Sequence, residues 1–178
     1  MRRVTRDRVL NVVGTLARLG LAAVWLVSGL LKVVDPDQTY VAVRAYDVLP
    51  KLGVSVVAGV LPWFELALGL LLLLGVGTRL VAWLSVGLLV AFIAGVSQAW
   101  ARGLSIDCGC FGGGGAVAAG QTQYVQELLR DTGFMVLAVW LAVRPRTLGS
   151  LDGRFGAAPA AAGVGARRDA RGTEGDRD

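Results

Sequence analysis

The sequence predicts an all-α polytopic membrane protein, a bundle of four transmembrane helices followed by a disordered C-terminal tail. Of its 178 residues 54% are hydrophobic, whereas soluble domains contain about 45–50% apolar residues. The mean hydropathy is +0.60. Charged residues concentrate towards the two ends, and long apolar stretches fill the middle of the chain. These three observations together indicate apolar helices that cross a lipid bilayer.

Three apolar stretches are long enough to span a membrane, which takes about 20 residues. They cover residues 9–31, 54–75 and 80–100. A fourth helix is predicted to begin near Gln123 with an amphipathic entry and to end before Pro145. Because the apolar part of this helix, residues 132–143, is short, a re-entrant segment is the alternative to a complete span.

The distribution of arginine predicts the orientation in the plasma membrane, because cytoplasmic loops carry an excess of positive charge. Arginines occur in the N-terminal segment, between the second and third spans, and after the fourth. We therefore expect both termini in the cytoplasm and the loop between the third and fourth spans outside. The predicted organisation is a basic N-terminus (1–8), a four-helix membrane domain (9–148) and a disordered cytoplasmic tail (149–178).

The composition also excludes several kinds of function. The chain contains no histidine, which removes His-based acid–base catalysis and most zinc sites. Its net charge of +5 does not indicate a nucleic-acid partner, because the arginines do not gather on one predicted face. The partner predicted from composition is the lipid bilayer.

The two cysteines of the chain, Cys108 and Cys110, flank Gly109 in the predicted outer loop. A disulfide requires Cα atoms about 4.4–6.8 Å apart, and glycine permits the bend that brings them so close. The small ring would be strained, and strained exposed disulfides are the more oxidising, exchangeable kind. We predict that Cys108 and Cys110 are the catalytic pair of a thiol–disulfide exchange site.

Two alternatives for the cysteine pair stay open. A purely structural disulfide would close a very small loop and so stabilise the fold little. Two thiolates without a histidine leave a zinc site half complete, although Cu(I) accepts two thiolates; no metal is predicted. Among the neighbouring charges, Asp107 would raise the pKa of a thiol, and Arg102 or Arg130 would lower it. The sequence does not decide which effect is larger.

Two charged residues fall inside predicted spans, where charges are costly and usually paired. Arg18 and Glu65 lie about 12 Å and 15 Å from the cytoplasmic edge, at 1.5 Å per helical residue. Since their helices are adjacent and antiparallel, we predict a buried Arg18–Glu65 ion pair. It either fixes the register of the helices or forms a polar site for a quinone head group or a proton path.

Several short motifs occur in a fixed order along the chain. They are ARL (17–19), VSGLLK (27–32), DP (35–36), LP (49–50), LPWFELALG (61–69), DCGCFG (107–112) and LRD (129–131). Together they resemble the MauE/DoxX-like family of redox-associated membrane proteins, and the last two resemble its MauE branch. The resemblance covers residues 10–146. It implies a four-helix bundle that assists disulfide handling or maturation of exported proteins, with a thioredoxin-like partner, and in the MauE branch support for methylamine dehydrogenase biogenesis.

The leading hypothesis is therefore a membrane thiol–disulfide component whose cysteines react at the outer face with an extracytoplasmic thioredoxin-like protein. Arg130 would tune the thiolate and Asp131 would orient Arg130. No cofactor is assigned with certainty; a quinone would be needed for net oxidation or reduction. The alternative is a non-enzymatic assembly or scaffold subunit with a structural disulfide. A solute transporter is disfavoured, and the sequence leaves the oligomeric state open.

Overall fold

The computed structural model describes residues 2–118, 120–145, 147, 150 and 151. Five helices make up most of this part of the chain: α1 (Arg2–Val34), α2 (Pro36–Ala45), α3 (Lys51–Leu74), α4 (Thr78–Ala101) and α5 (Tyr124–Val143). The predicted disordered tail, 149–178, lies outside the described residues except for Ser150 and Leu151.

The chain also forms one small element that the all-α prediction did not contain. Strands β1 (Ile106–Asp107) and β2 (Gly115–Ala116) pair antiparallel within the loop between α4 and α5. Asp107 lies opposite Gly115 in this ladder. The ladder therefore closes the cysteine-containing segment into a compact loop.

Local sequence explains how the helices end. Asp35 caps α2, because its side chain accepts a hydrogen bond of 3.0 Å from the backbone nitrogen of Gln38, and Pro36 occupies the first turn. Both features are favourable at a helix start. Helix α3 ends where Gly75 adopts the left-handed conformation, at φ +68°, which glycine enters without a steric penalty. The next helix begins after a turn of three residues.

Three of the helices in the described part of the chain are long and apolar enough to cross a membrane. They are Asp7–Val34, Lys51–Leu74 and Thr78–Ala101, close to the three predicted spans. Helix α5 has 20 residues, but Glu127, Arg130 and Asp131 lie in its first two turns. Its composition alone therefore does not establish a fourth span.

Helix α1 packs antiparallel along α3, and α4 packs along α5. Two glycines allow the close approach of α1 and α3. A Cβ atom on Gly29 would lie 2.9 Å from the carbonyl oxygen of Pro62, and a Cβ atom on Gly69 would lie 2.7 Å from Cγ of Leu26. Trp25 of α1 joins the two pairs of helices, because its indole nitrogen donates a 3.0 Å hydrogen bond to the hydroxyl of Ser85 in α4.

The predicted ion pair between Arg18 and Glu65 is wrong. Glu65 pairs with Lys32, whose Nζ lies 3.0 Å from its Oε2 atom. Arg18 donates to the backbone carbonyl oxygens of Leu72 at 2.9 Å and Leu73 at 3.2 Å, at the end of α3. The two charges are therefore not level with each other.

The error has a geometric origin. The prediction measured depth from the first apolar residues of the first span, but α1 already begins at Arg2. Because α1 extends past the end of α3, Arg18 reaches only the last turn of α3. Glu65 lies further along, beside Ser28, whose hydroxyl is 3.0 Å from the carboxylate.

Candidate functional site

The cysteine loop lies at the end of the helices where α1 meets α2. Gly109 has φ +67°, and a Cβ atom there would lie only 2.7 Å from the Cβ atom of Ala42 in α2. Gln38 of the same helix donates a 2.6 Å hydrogen bond to the carbonyl oxygen of Gly114. Helix α2 therefore lies directly over the loop, and the two glycines allow this contact.

Cys108 and Cys110 are both free thiols buried in the structure, with 9% and 7% of their surfaces exposed. The backbone nitrogen of Cys110 donates to Sγ of Cys108 at 3.3 Å. A hydrogen bond between the two side chains lowers the pKa of Cys108 and raises the pKa of Cys110, while burial raises both. The pair therefore favours a thiolate on Cys108 and a thiol on Cys110, which holds the shared proton.

Arg130 supplies the positive charge beside the thiolate. Its Nη2 atom lies 3.6 Å from Sγ of Cys108, and this contact further lowers the pKa of Cys108. The guanidinium also lies 4.8 Å from the ring centroid of Phe111. Asp131, whose side chain is 3% exposed, accepts from Nε of Arg130 at 3.2 Å. The structure thus brings together the four residues that carry the predicted chemistry and its tuning, with Arg130 fixed on two sides.

The sequence left two arginines as candidates for this position, and the structure separates them. Arg102 forms an ion pair of 3.1 Å with Asp47 at the surface, where both side chains are well exposed. It also donates to the backbone carbonyl oxygen of Tyr46 at 3.3 Å. Arg102 therefore stabilises the start of the α2–α3 connection, and Arg130 is the arginine that contacts the thiol.

Two carboxylates adjoin the cysteines. Asp107 accepts a 3.2 Å hydrogen bond from the backbone nitrogen of Gly109, and Glu127 accepts one of 3.3 Å from that of Cys108. The charge of Glu127 raises the pKa of Cys108 and so opposes Arg130. An amphipathic start to this helix was predicted from the sequence, but Glu127 was not assigned to the site. Its position three residues before Arg130, on the same face, is the signal that could have identified it.

The same acids make a geometry that a cation could use. Ligand atoms of Asp107, Cys108 and Glu127 lie within 4.8 Å of one another. However, the guanidinium of Arg130 contacts the sulfur of Cys108, and its positive charge would repel a metal ion there. The donor set therefore fits a tuned thiolate better than a metal centre.

A polar network links the loop to the interior of the helices. The carbonyl oxygen of Cys110 accepts from the hydroxyl of Ser28 at 2.7 Å and from Nζ of Lys32 at 3.2 Å. Lys32 in turn holds both oxygens of Glu65, at 3.1 and 3.0 Å. Glu65 therefore lies directly beneath the loop, although from the sequence it was paired with Arg18 and was not connected with the cysteines.

Tyr46 holds the other cysteine carbonyl. Its hydroxyl donates to the carbonyl oxygen of Cys108 at 3.3 Å. Burial, followed by the charge that the cysteine pair carries when it ionises, raises the pKa of Tyr46, so the phenol stays protonated and remains a donor. Neither Tyr46 nor Lys32 was assigned to the site from the sequence, because Lys32 directly follows the first predicted span and Tyr46 lies in the loop before the second.

A cavity of about 330 Å³ borders the cysteines. Its walls come from α2, from α3 and the connection before it, and from α4, and its polar end consists of Lys32, Cys108 and Cys110. Most of its other lining residues are apolar: Ala42, Val43, Val48, Leu49, Val57, Leu61, Leu88, Ala91 and Phe92. The cysteine pair thus borders a mostly apolar space.

These features define a helical membrane protein with a buried dithiol in a loop at one end of its helices. The family model described as "Methylamine utilisation protein MauE" matches residues 10–144, most of the chain, and the protein belongs to this family. The MauE part of the resemblance is therefore confirmed, whereas this match does not confirm the DoxX-like part. Searches of curated proteins and of solved structures give no match.

Proposed function

We propose that this protein is a membrane thiol–disulfide component that assists disulfide formation in, or maturation of, exported proteins of methylamine utilisation. The observation that carries the proposal is the environment of Cys108, whose sulfur contacts Arg130 at 3.6 Å and receives hydrogen bonding from Cys110. A thiolate is the reactive form of cysteine in exchange reactions. Membership of the MauE family supports the link to methylamine utilisation.

The proposed exchange divides the work between the two cysteines. The thiolate of Cys108 attacks one sulfur of a partner disulfide, whose S–S bond breaks as a mixed disulfide forms. The partner's other sulfur leaves as a thiolate and takes the proton of Cys110. The sulfur of Cys110 then attacks Sγ of Cys108, which closes the Cys108–Cys110 disulfide and releases the partner's second sulfur as a thiolate; this sulfur takes from the medium the proton that Cys108 lost when it ionised. The reverse sequence oxidises a partner.

The proposal includes α5 as the fourth transmembrane span. Its 20 residues correspond to about 30 Å, the thickness of the hydrocarbon core. Two of the three charges that lower its hydropathy, Glu127 and Asp131, are 6% and 2% exposed, and the third, Arg130, contacts the sulfur of Cys108. Helix α5 also packs along α4, which has a span-like composition. With four spans, both termini lie in the cytoplasm and the cysteine loop faces outwards, where a thioredoxin-like partner would reach it.

Single-cysteine variants test the proposed division of work. Purified protein in lipid nanodiscs is mixed with an oxidised soluble thioredoxin-fold protein and analysed by non-reducing electrophoresis. Cys110→Ser should accumulate the mixed disulfide, since the attacking sulfur is present and the resolving one is absent. Cys108→Ser should form much less of it, and the double variant none. Equal exchange by wild type and both single variants would overturn the proposal.

A second candidate is a non-enzymatic assembly subunit in which the cysteines form a static disulfide. The burial of both cysteines in a loop that contacts α2 favours it, because a partner protein can reach the sulfurs only if this loop moves. Mild reductant separates the two functions: a static disulfide stays closed, whereas an exchange site is reduced and reoxidised. If the pair is static, serine variants would lower the stability of the protein and would not change an exchange activity.

A further inference from the structure

We propose that the cavity beside the cysteine pair binds the ring of a quinone, which exchanges two electrons with the Cys108–Cys110 dithiol. This inference rests on the proposed function, since it supplies the second redox partner that the exchange site requires. It assigns a ligand class to a space in the structure and a direction of approach for that ligand. A protein partner reaches the dithiol through the loop, and the quinone reaches it from within the membrane.

The size and lining of the cavity fit a small apolar ring. Its volume is about 330 Å³, at the lower end of the range of roughly 300–1,000 Å³ for ligand pockets. Leu61 of α3 and Leu88 of α4 both line it, and Phe92 adds an aromatic side chain. Ala91 lines the cavity in the middle of α4 and is exposed, so the space opens between the helices towards the hydrocarbon region.

The polar groups of the cavity argue against a peptide as its occupant. Thr39, which also lines it, already donates to the carbonyl oxygens of Lys32 at 3.1 Å and Asp35 at 2.9 Å. An extended peptide needs many partners for its backbone groups, and the apolar walls offer few. A quinone has only two carbonyl oxygens and dissolves in the bilayer, which meets both conditions.

The charge of Lys32 suits the reduced form of such a ring. Lys32 lines the cavity beside both cysteines, and its ammonium lies 6.0 Å from the ring centroid of Phe92. A fixed cation stabilises negative charge that develops on a carbonyl oxygen as it is reduced. Because Glu65 and the carbonyl oxygen of Cys110 hold the ammonium in place, little reorganisation is needed.

The proposed reaction balances without any further reagent. The thiolate of Cys108 adds to the quinone, and the sulfur of Cys110 then attacks Sγ of Cys108, so that an S–S bond forms as the hydroquinone leaves. The dithiol loses two electrons and the quinone gains them. One proton comes from Cys110, and the other comes from the medium, which received it when Cys108 ionised. In reverse, a hydroquinone reduces the disulfide.

The test measures quinone reduction and protein exchange on the same samples. Reduced protein in lipid nanodiscs is mixed anaerobically with decylubiquinone, and the loss of quinone absorbance is followed. Leu61→Trp fills the cavity from α3, and Ala91→Leu narrows it from α4 by a smaller amount, in case the larger change impairs folding. The matched control is Leu70→Trp, because Leu70 lies on the same helix with 51% of its surface exposed and does not line the cavity. Exchange with an oxidised thioredoxin-fold protein is measured in parallel.

We expect wild type and Leu70→Trp to consume one quinone per dithiol. Leu61→Trp should slow this reaction by about tenfold or more, equivalent to at least about 1.4 kcal/mol of activation free energy, while protein exchange stays unchanged. Ala91→Leu should slow it less. Equal quinone reduction in all four proteins, or none in wild type that still exchanges with the protein partner, would overturn the cavity proposal alone. Loss of both reactions in wild type would instead overturn the proposed function.

Discussion

Lys32 and Glu65 form an ion pair directly beneath the cysteine loop, with 3.0 Å between Nζ and Oε2 and 8% and 0% of the two side chains exposed. The ammonium also donates to the carbonyl oxygen of Cys110 at 3.2 Å. The pair therefore joins α1 to α3 and fixes one end of the cysteine loop to both helices. A charge left alone at this place would have no water to compensate it.

We predict that Glu65→Ala and Lys32→Met each lower the free energy of unfolding by about 3–5 kcal/mol, the cost of breaking a buried pair. The double variant Lys32→Met/Glu65→Leu should recover most of this loss, because no unpaired charge remains. Thermal unfolding in detergent measures all three. Arg102→Gln removes the exposed pair with Asp47 and should cost no more than about 1 kcal/mol. A double variant as unstable as the singles would contradict the account.

Arg130→Gln should make Cys108 a weaker nucleophile near neutral pH. The hydrogen bond from Cys110 and the contact with Arg130 lower the pKa of Cys108, so removing the guanidinium raises it again. Both proteins in this comparison carry Cys110→Ser, so that Cys108 is the one thiol measured. With Arg130→Gln less of Cys108 is thiolate at neutral pH, and its alkylation should be several-fold slower than with Arg130. At high pH, where both proteins are ionised, the rates should converge. Superimposable pH profiles for Arg130→Gln and Arg130 proteins would show that the contact has no electrostatic role.

Gly109→Ala should damage the loop through two separate effects. The positive φ disfavours a side chain, at a cost of about 1–3 kcal/mol, and the new Cβ would lie 2.7 Å from that of Ala42. Gly120→Ala is the matched control, since Gly120 has φ +86° but no atom within 4 Å of its added Cβ. Gly109→Ala should lower the unfolding temperature more than the control does. Adding Ala42→Gly to Gly109→Ala should remove this excess loss. Equal losses in both single variants would mean that α2 does not press on the loop.

Chelation should leave the thiols unaffected. The positive charge of Arg130 beside the sulfur of Cys108 opposes a cation among Asp107, Cys108 and Glu127. In membranes treated with a reductant, the cysteine thiols should therefore be alkylated at the same rate with and without EDTA. Faster alkylation after EDTA, reversed by added Zn²⁺, would show that these three residues bind metal.

Much of the fold could be predicted from the sequence, because the length and hydropathy of the apolar stretches indicate the helices. The three apolar stretches correspond to α1, α3 and α4, and the turn at Gly75 follows from its conformational freedom. The fourth span stays a proposal, because the acids and the arginine of α5 serve the cysteine loop and so weaken its apolar signal. Hydropathy cannot separate a charge that faces protein from one that faces lipid.

The site was predictable only where covalent chemistry marks it. Cys108 and Cys110 are conspicuous in sequence, and Arg130 was one of two candidates for the adjoining charge. The partner of Glu65 could not be predicted, because the register between α1 and α3 depends on where Gly29 and Gly69 allow the helices to meet. That contact places Lys32, not Arg18, beside the carboxylate. Counting residues from the end of each helix does not give this register.

The most direct test of the central claim is a redox titration of Cys108 and Cys110 in sealed membranes. The membranes are equilibrated across a series of glutathione ratios, and the thiols are then trapped from one side with an impermeant alkylating reagent. The account predicts a reversible dithiol–disulfide transition that is detected from the outer face. A pair that stays oxidised at every potential, or thiols that react only from the cytoplasmic face, would contradict it.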